Sequence, residues 1–483
     1  MEKAKTTSSQ SREQSQTLKL FDTLEERLSS SFRDPSGFVF RRGGVLFRQV
    51  NQVCASDYGR LMTSGLYDDL AARGLLVSHV EESIPAPEPS IAFKIIRPRE
   101  ITFVSYPYEW CFSQLRDAAL LTLEIQETAV QKGMCLKDAS GFNIQFERSK
   151  PIHIDTLSFT AAETGAAWVG YRQFCENFLV PLALMALRDA RLGRLLAHYL
   201  DGIPLDLAYR LLPRRAFCRF HRWLHLWLHS VCQRSAGHFW RNVAAASASQ
   251  YRRLALIDSL RSAILSIPAP KSGSHWSQYE TECQSYSPQE RTCKEAIVCE
   301  MISAVRPNIV WDIGCNTGVF SRIAADQRAY VVASDYDHDC VESLYRRIRG
   351  HEISILPLLV DFTNPTPPVG WVGRERMSWQ ERGPADLILA LAVMHHWTLG
   401  NNVPLPMLVQ ALKDCGRHLV VEFVPKTDPM SRLLLANRKD IFPDYDRPHF
   451  EVALSRHFVI RRVAEISESG RVLYLCENPS ISR

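Results

Sequence analysis

Apolar and polar positions along this chain follow strand-like alternation in some stretches and helical spacing in others, and the change of pattern divides it. From Gly37 to Val104 the text is mixed: GFVFRR, VLFRQV and SIAFKII alternate like short strands, and the stretch from Asp57 to Leu76 has helical spacing. Gln114 to Gln131 predicts an amphipathic helix, with Leu115, Ala118, Leu121, Ile125 and Ala129 on one face. Arg116, Asp117, Glu124 and Glu127 fall on the other, and Gly133 follows where a left-handed C-cap is favoured. FNIQF and PIHIDTL read as further strands, and residues 165–265 are mostly helical in pattern, without a repeat. The breakers of IPAPKSGS at 267–274 predict a linker. Beyond it short apolar strands alternate with helices, the rhythm of an α/β domain.

Length makes that division necessary, because 483 residues exceed one ordinary core and call for roughly two to four domains. The expected boundaries are a disordered tail at 1–18, an α+β domain at 19–165, a helical basic segment at 166–266, the linker, and an α/β domain at 275–483. With 46% hydrophobic and 23% charged residues the chain is globular, and a net charge of +5 implies no nucleic-acid partner. Thirteen cysteines without a C-x-x-C pair fit reduced thiols rather than a disulfide framework or zinc ribbon. The first twenty residues show no apolar secretory core, and the densest apolar run, Phe178 to Leu187, is too short to span a bilayer and holds Pro181. The expectation is a cytoplasmic protein without a transmembrane segment.

The sharpest chemical signal is NIVWDIGCNTGVFSRIAAD at 308–326. A buried strand runs to Ile313, Gly314 lets the chain turn at its carboxyl end, and Gly318 lets a ligand or helix approach the backbone. The next strand, AYVVASD, ends in Asp335, suited to accept from two ribose hydroxyls. ISILPLLVD ends in Asp361, and DLILALA runs into VMHHW. Polar residues at four neighbouring strand ends make a nucleoside pocket.

These residues resemble the class I S-adenosylmethionine-dependent methyltransferases, whose first motif D/E-x-G-x-G-x-G is met by DIGCNTG with Asn316 at the middle glycine. The resemblance implies a Rossmann-like seven-stranded domain that ends in an antiparallel strand pair, here HFVIRRVAE and RVLYLCEN. It implies S-adenosylmethionine as cofactor, with Gly314, Cys315, Asn316 and Gly318 along the methionine portion and Asp312 beneath the ammonium group. Asp335 and Tyr336 would then meet the ribose end, and Asp361 and Phe362 the adenine. Dinucleotide-binding folds share the glycine turn but favour G-x-G-x-x-G. His395 and His396 stand at the position that faces the methyl group in the family, either as general base or as packed residues; Glu422, ending the fifth strand, is a further candidate for acceptor contact.

A second constellation lies upstream. Asp138 and Asn143 have D-x-x-x-x-N spacing and Asp155 follows PIHI, which resembles the catalytic loop and metal-binding aspartate of the protein-kinase-like fold. Arg48 falls where that family has a strand-three lysine. Leu136 and Lys137 replace His-Arg, Thr156 and Leu157 follow Asp155, and no glycine-rich phosphate loop is present, so the resemblance implies a fold without phosphoryl transfer, a pseudokinase-like half. The same residues also serve as ordinary turn formers.

Between Leu207 and Ile257 there are nine arginines and no acidic residue, with Trp223, Trp227, Phe239 and Trp240 interleaved and histidines at 221, 225 and 229. This segment is either a helix packing its aromatic face or a docking surface for an anionic partner; no metal is expected. The whole chain, through SYPYEWCFSQL and LKDASGFNIQF joined to the methyltransferase half, resembles a family of rhizobial nodulation proteins and their bacterial relatives. That implies methyl transfer to a small-molecule or saccharide-derived acceptor in host-specific nodulation. The competing class is a non-catalytic scaffold acting through the kinase-like half.

Overall fold

The computed structural model describes residues 25–163, 167–214, 225–226, 250–271, 273, 287–466 and 470–481. The expected tail, most of the arginine-rich segment and residues 274–286 lie outside it. Strands β1 (Glu25–Arg27), β2 (Gly37–Arg42) and β3 (Val45–Asn51) lead into helices α1 (Ala55–Thr63) and α2 (Leu66–Ala72), then β4 (His79–Glu82) and β5 (Ala92–Pro98). They form an antiparallel sheet in the order β1-β2-β3-β5-β4. The single helix expected over 57–76 is two, because Gly65 takes a left-handed conformation (φ 72°) that a longer side chain rarely adopts.

Helix α3 (Phe112–Gln131) follows, as its apolar stripe predicts. On the expected polar face Arg116, Glu124 and Glu127 stay partly exposed, but Asp117 is buried. Below it β6 (Met134–Leu136) pairs with β9 (Phe159–Ala161), and β7 (Ile144–Glu147) with β8 (Lys150–His153), both antiparallel. Helical residues 171–187 fill the layer beneath, almost wholly buried, and α4 (Gln250–Leu265) lies along α3.

The C-terminal half opens with α5 (Pro288–Val305), whose Ser287 and Glu290 form a reciprocal cap. There follow β10 (Ile309–Ile313), α6 (Val319–Asp326), β11 (Tyr330–Asp335), α7 (His338–Ile348), β12 (Ile355–Leu359), β13 (Ala385–Ala390) and α8 (Leu405–Cys415). The last elements are β14 (Gly416–Phe423), α9 (Pro429–Leu435), β15 (Val459–Glu465) and β16 (Val472–Glu477). The sheet runs β12-β11-β10-β13-β14-β16-β15, with β10 to β14 parallel and β16 antiparallel to both neighbours. This is the seven-stranded Rossmann-like arrangement that the motifs implied. Strand order reverses at β10, so the ligand crevice of such a sheet belongs at the carboxyl ends of β10, β11 and β13.

The two halves share one core. Phe103 packs edge-on against Trp311 with centroids 5.9 Å apart, and Trp379 stacks at 4.5 Å on Trp311. Arg382 grips Glu109 bidentately, at 2.8 and 2.6 Å, both side chains about 1% exposed. Asp117 of α3 accepts from the Tyr345 hydroxyl at 2.7 Å and from Arg349 at 2.6 Å, and Ser113 N–H donates to Glu342. Ile267, inside the expected linker, is buried in this same core. No helix among the described residues is long and apolar enough to cross a membrane.

Candidate functional site

The turn after β10 is held open by two backbones that exclude side chains. Gly314 (φ 76°) and Gly318 (φ 86°) are both left-handed; a Cβ on the first would run into Val393 Cγ1, and on the second would lie 2.6 Å from Leu344. Asn316 is also left-handed, and Asp335 secures it: one carboxylate oxygen accepts from Asn316 N–H at 2.8 Å, the other from Asp337 N–H at 2.9 Å. The carboxylate expected to meet a ribose thus also anchors the glycine turn, a duty that sequence reading missed. Asp312, buried in β10, accepts from Ser321 Oγ at 2.5 Å. Burial raises both carboxyls, Asp312 and Asp335, to about 6.

The other expected residues lie along the same rim. Cys315 is buried and Tyr336 exposed just past Asp335. Asp361 is partly buried, its carboxylate accepting from Thr363 N–H and Oγ1. Phe362 stacks on Trp397 at 4.7 Å, and Trp397 directly follows the two histidines. The residues from Asp312 to Phe362 therefore lie along one rim of the sheet with three carboxylates, Asp312 and Asp335 buried and Asp361 partly so, acceptors that suit the hydroxyl and ammonium donors of a nucleoside-bearing sulfonium.

His395 and His396 sit beside this edge, ring centroids 4.1 Å apart. Both titrate far from the ordinary histidine value of 6.5. Burial, then His396, Arg471 and Lys294, push His395 well below it; burial and Arg471 bring His396 to about 4. Both are neutral imidazoles at physiological pH, able to accept a proton but not to sense neutral pH. Glu422, expected to reach an acceptor, is instead fully buried between Lys294 (2.7 Å) and Arg471 (3.1 Å), and Arg471 continues to Asp428 at 2.8 Å. A strand-end carboxylate looks available in a sequence; its partners come from α5 and from the residue just before β16, more than forty residues away on either side, and no local pattern announces them.

In the N-terminal half Arg48, on β3, pairs with Asp155 at 2.5 Å. Burial pushes the Asp155 carboxyl up, but Arg48, His153, Ser158 and Leu157 N–H outweigh it and hold it below the ordinary value. Ser158 bridges Asp155 (2.8 Å) and Asn143 (3.2 Å), so these two expected residues share one site. Asp138 lies at the start of the same loop, its carboxylate held by Gln173 at 2.7 Å and Ser140 N–H at 3.0 Å. The β1–β2 connection facing them, residues 28–36, contains no glycine. Of the three spaced histidines only His225 is among the described residues, buried between Tyr171 (2.7 Å) and Ser259 (2.9 Å); His221 and His229 lie outside them. Among the described residues there is no cluster of three His, Cys, Asp or Glu side chains fit to hold a metal.

Known proteins complete the comparison. No family model matches the chain. The nodulation protein NoeA of Rhizobium meliloti (strain 1021) is 33% identical over 462 residues, covering 93% of this chain and 96% of that one. Among solved structures, magnesium protoporphyrin IX methyltransferase ChlM of Synechocystis PCC 6803 is 18% identical, covering 39% of this chain and 82% of that one, at a TM-score of 0.30. N-methyltransferase NodS of Bradyrhizobium japonicum WM9 is 13% identical, covering 40% and 98%, at 0.30. The bifunctional kinase-methyltransferase WbdD is 16% identical, covering 42% of each chain, at 0.30. With 33% identity along an alignment that spans 93% of its length, this chain belongs to the NoeA family.

Proposed function

We propose that the chain is a cytoplasmic S-adenosylmethionine-dependent methyltransferase acting on a small-molecule or saccharide-derived acceptor, in the nodulation setting named for its relative. One observation supports the reading: Asp335, ending β11, holds the glycine turn that follows β10, next to the switch point of a seven-stranded sheet with an antiparallel terminal pair. When bound, adenosylmethionine would supply an electrophilic methyl group on a sulfonium. The chain's own task is then to hold and align. Asp335 accepts ribose hydroxyls while pinning the turn, the glycine backbone from Gly314 to Gly318 passes under the methionine portion, and Asp312 offers the ammonium a carboxylate. Asp361 and Phe362 border the ring. His395 or His396, neutral at working pH, takes the acceptor's proton where the acceptor is a hydroxyl, while in-line alignment contributes up to ~7–11 kcal/mol. Calorimetric titration of the full chain with adenosylmethionine, followed by methyl-label transfer into a cell extract, tests the reading. Absence of cofactor binding refutes it.

A second reading has its own observation. The sheet order β1-β2-β3-β5-β4, followed by the paired β6·β9 and β7·β8, is what a kinase-like domain would have, and Arg48 on Asp155 supports a version that no longer transfers phosphate. On this reading the chain is a scaffold. Cofactor binding with no methyl transfer to any extract component would favour it.

A further inference from the structure

Past β14 the chain builds a ledge at the carboxyl end of the sheet, beside the turn that carries the histidines. Arg438 ties it together, donating to the carbonyls of Leu399 at 2.6 Å and Gly400 at 3.2 Å and to the Asn402 side chain, and α9 packs on the same turn. Three aliphatic side chains stand out from this ledge. Leu433 and Ile441 are 61% and 56% exposed, and Met407, in the first turn of α8, is 64% exposed. Cations surround them: Lys426, Arg432, Arg438 and Lys439 all fall within 426–441. The neighbouring acids are already engaged. Asp428 is buried on Arg471 at 2.8 Å, Asp440 takes Lys426 at 2.7 Å, and Asp444 faces His449 at 3.8 Å. Arg432 and Lys439 are exposed and make no ion pair among the described residues, so the face they share with Leu433 and Ile441 carries uncompensated positive charge.

Exposed aliphatic tips set among unpaired cations mark a contact surface. Its composition says which kind. The core of a protein interface gathers Tyr and Trp and excludes Lys. This ledge presents neither aromatic to solvent, and it interleaves Lys and Arg with Leu, Ile and Met, the pattern of a surface that lies against lipid: aliphatic ends among the acyl chains, basic heads at the phosphates. We propose that the ledge docks the chain on an anionic membrane surface, an attachment in the headgroup plane that requires no spanning helix. This docking turns the carboxyl ends of β13 and β14 toward the headgroups. It stands apart from methyl transfer, since neither cofactor nor acceptor takes part in it.

The test is co-sedimentation of the full chain with vesicles of phosphatidylcholine alone or with about one-third phosphatidylglycerol, at about 0.1 M and about 0.5 M salt. The chain should sediment with the anionic vesicles at low salt, be released at high salt, and stay in solution with phosphatidylcholine alone. Arg432→Glu with Lys439→Glu should weaken partitioning at least about 30-fold, and Leu433→Ser with Ile441→Ser roughly tenfold, each with the melting temperature unchanged. Lys439→Glu alone, on a loop, keeps the test open should a change in α9 lower that temperature. Arg456→Glu is the control for general positive charge, because β15 starts opposite the last residue of β16 and so places Arg456 at the other rim of the sheet. It should bind like wild type. Wild type that stays in solution with anionic vesicles, charge variants that sediment like wild type, or an equal loss in Arg456→Glu would each overturn the proposal.

Discussion

On the proposed reading, Asp335 should make cofactor affinity depend on pH in a window that its burial defines. A carboxyl raised from 3.8 to about 6 bears about 3 kcal/mol of ionisation cost at neutral pH in the unliganded protein. The sign follows from linkage. A carboxyl raised by folding contributes stability that is present below its unfolded value and lost as pH climbs through 6. Ribose hydroxyls donating to the ionised group pull its value back down, so binding below pH 6 releases a proton. Affinity should be flat above about pH 7 and fall about tenfold per pH unit between roughly 6 and 4, where the unliganded carboxyl holds a proton and the liganded one does not. Titrations with adenosylmethionine at pH 7.5 and 5, each in two buffers of different ionisation enthalpy, give both the affinity and the proton count. The expected result is binding at least about tenfold weaker at pH 5, with close to one proton released by Asp335 and a further one by Asp312 where it meets the ammonium. Asp335→Asn, which keeps an oxygen for Asn316 N–H but cannot titrate, should flatten the curve to what Asp312 alone contributes. Equal affinity at both pH values, or an unchanged slope in Asp335→Asn, would refute the assignment.

Turnover should persist unchanged through pH 6.5 on account of the histidines, since burial brings His396 to about 4 and holds His395 well below the ordinary value; a rate loss centred at 6.5 that disappears in His396→Gln would contradict the buried, neutral imidazoles. Replacing whichever histidine is the base should cost about 10²–10⁴ in rate at near-normal cofactor affinity. Gly314→Val should abolish cofactor binding by collision with Val393, while Arg322→Lys on the outer face of α6 should leave it intact, as calorimetry would read. Glu109→Gln leaves Arg382 buried without its counter-ion and should destabilise the full chain by about 3–5 kcal/mol in denaturant unfolding; a loss below 1 kcal/mol would mean that water reaches the pair. Purified full chain should transfer no γ-phosphate from ATP, and activity in a radiolabel assay would overturn the inactive reading of the Arg48–Asp155 site.

The C-terminal half was legible because its signals are local. A strand, a glycine turn and an acid at the next strand's end lie within thirty residues, and the alternation of apolar strands with helices dictates how they stack. Asp335 shows where such reading stops, since its bond to Asn316 N–H depends on the left-handed backbone of a neighbouring loop. Asp117 shows the same limit for packing. Helical spacing put it on a solvent face, but Tyr345 and Arg349 arrive from a region more than two hundred residues later and bury it. Burial in turn raises its carboxyl, an effect partly offset by those two donors. Polar residues that satisfy one another across domains look the same in sequence as polar residues facing water. The same limit shows at the first residue of the expected linker, where Ile267 finds its apolar partners across the shared core while residues 268 and 269 stay exposed.

The ion pair between Arg48 and Asp155 has a consequence in competition. A carboxylate that might hold a divalent cation must first be released by its present partner, and that partner is tethered. A tethered group acts at an effective concentration of at least the millimolar order, and it does not dilute when the surroundings change. A free magnesium ion at about the same concentration gains no advantage by mass action, and it would have to shed part of its own hydration shell to enter. The chain thus carries its own permanent counter-ion, whose occupancy depends on neither supply nor season.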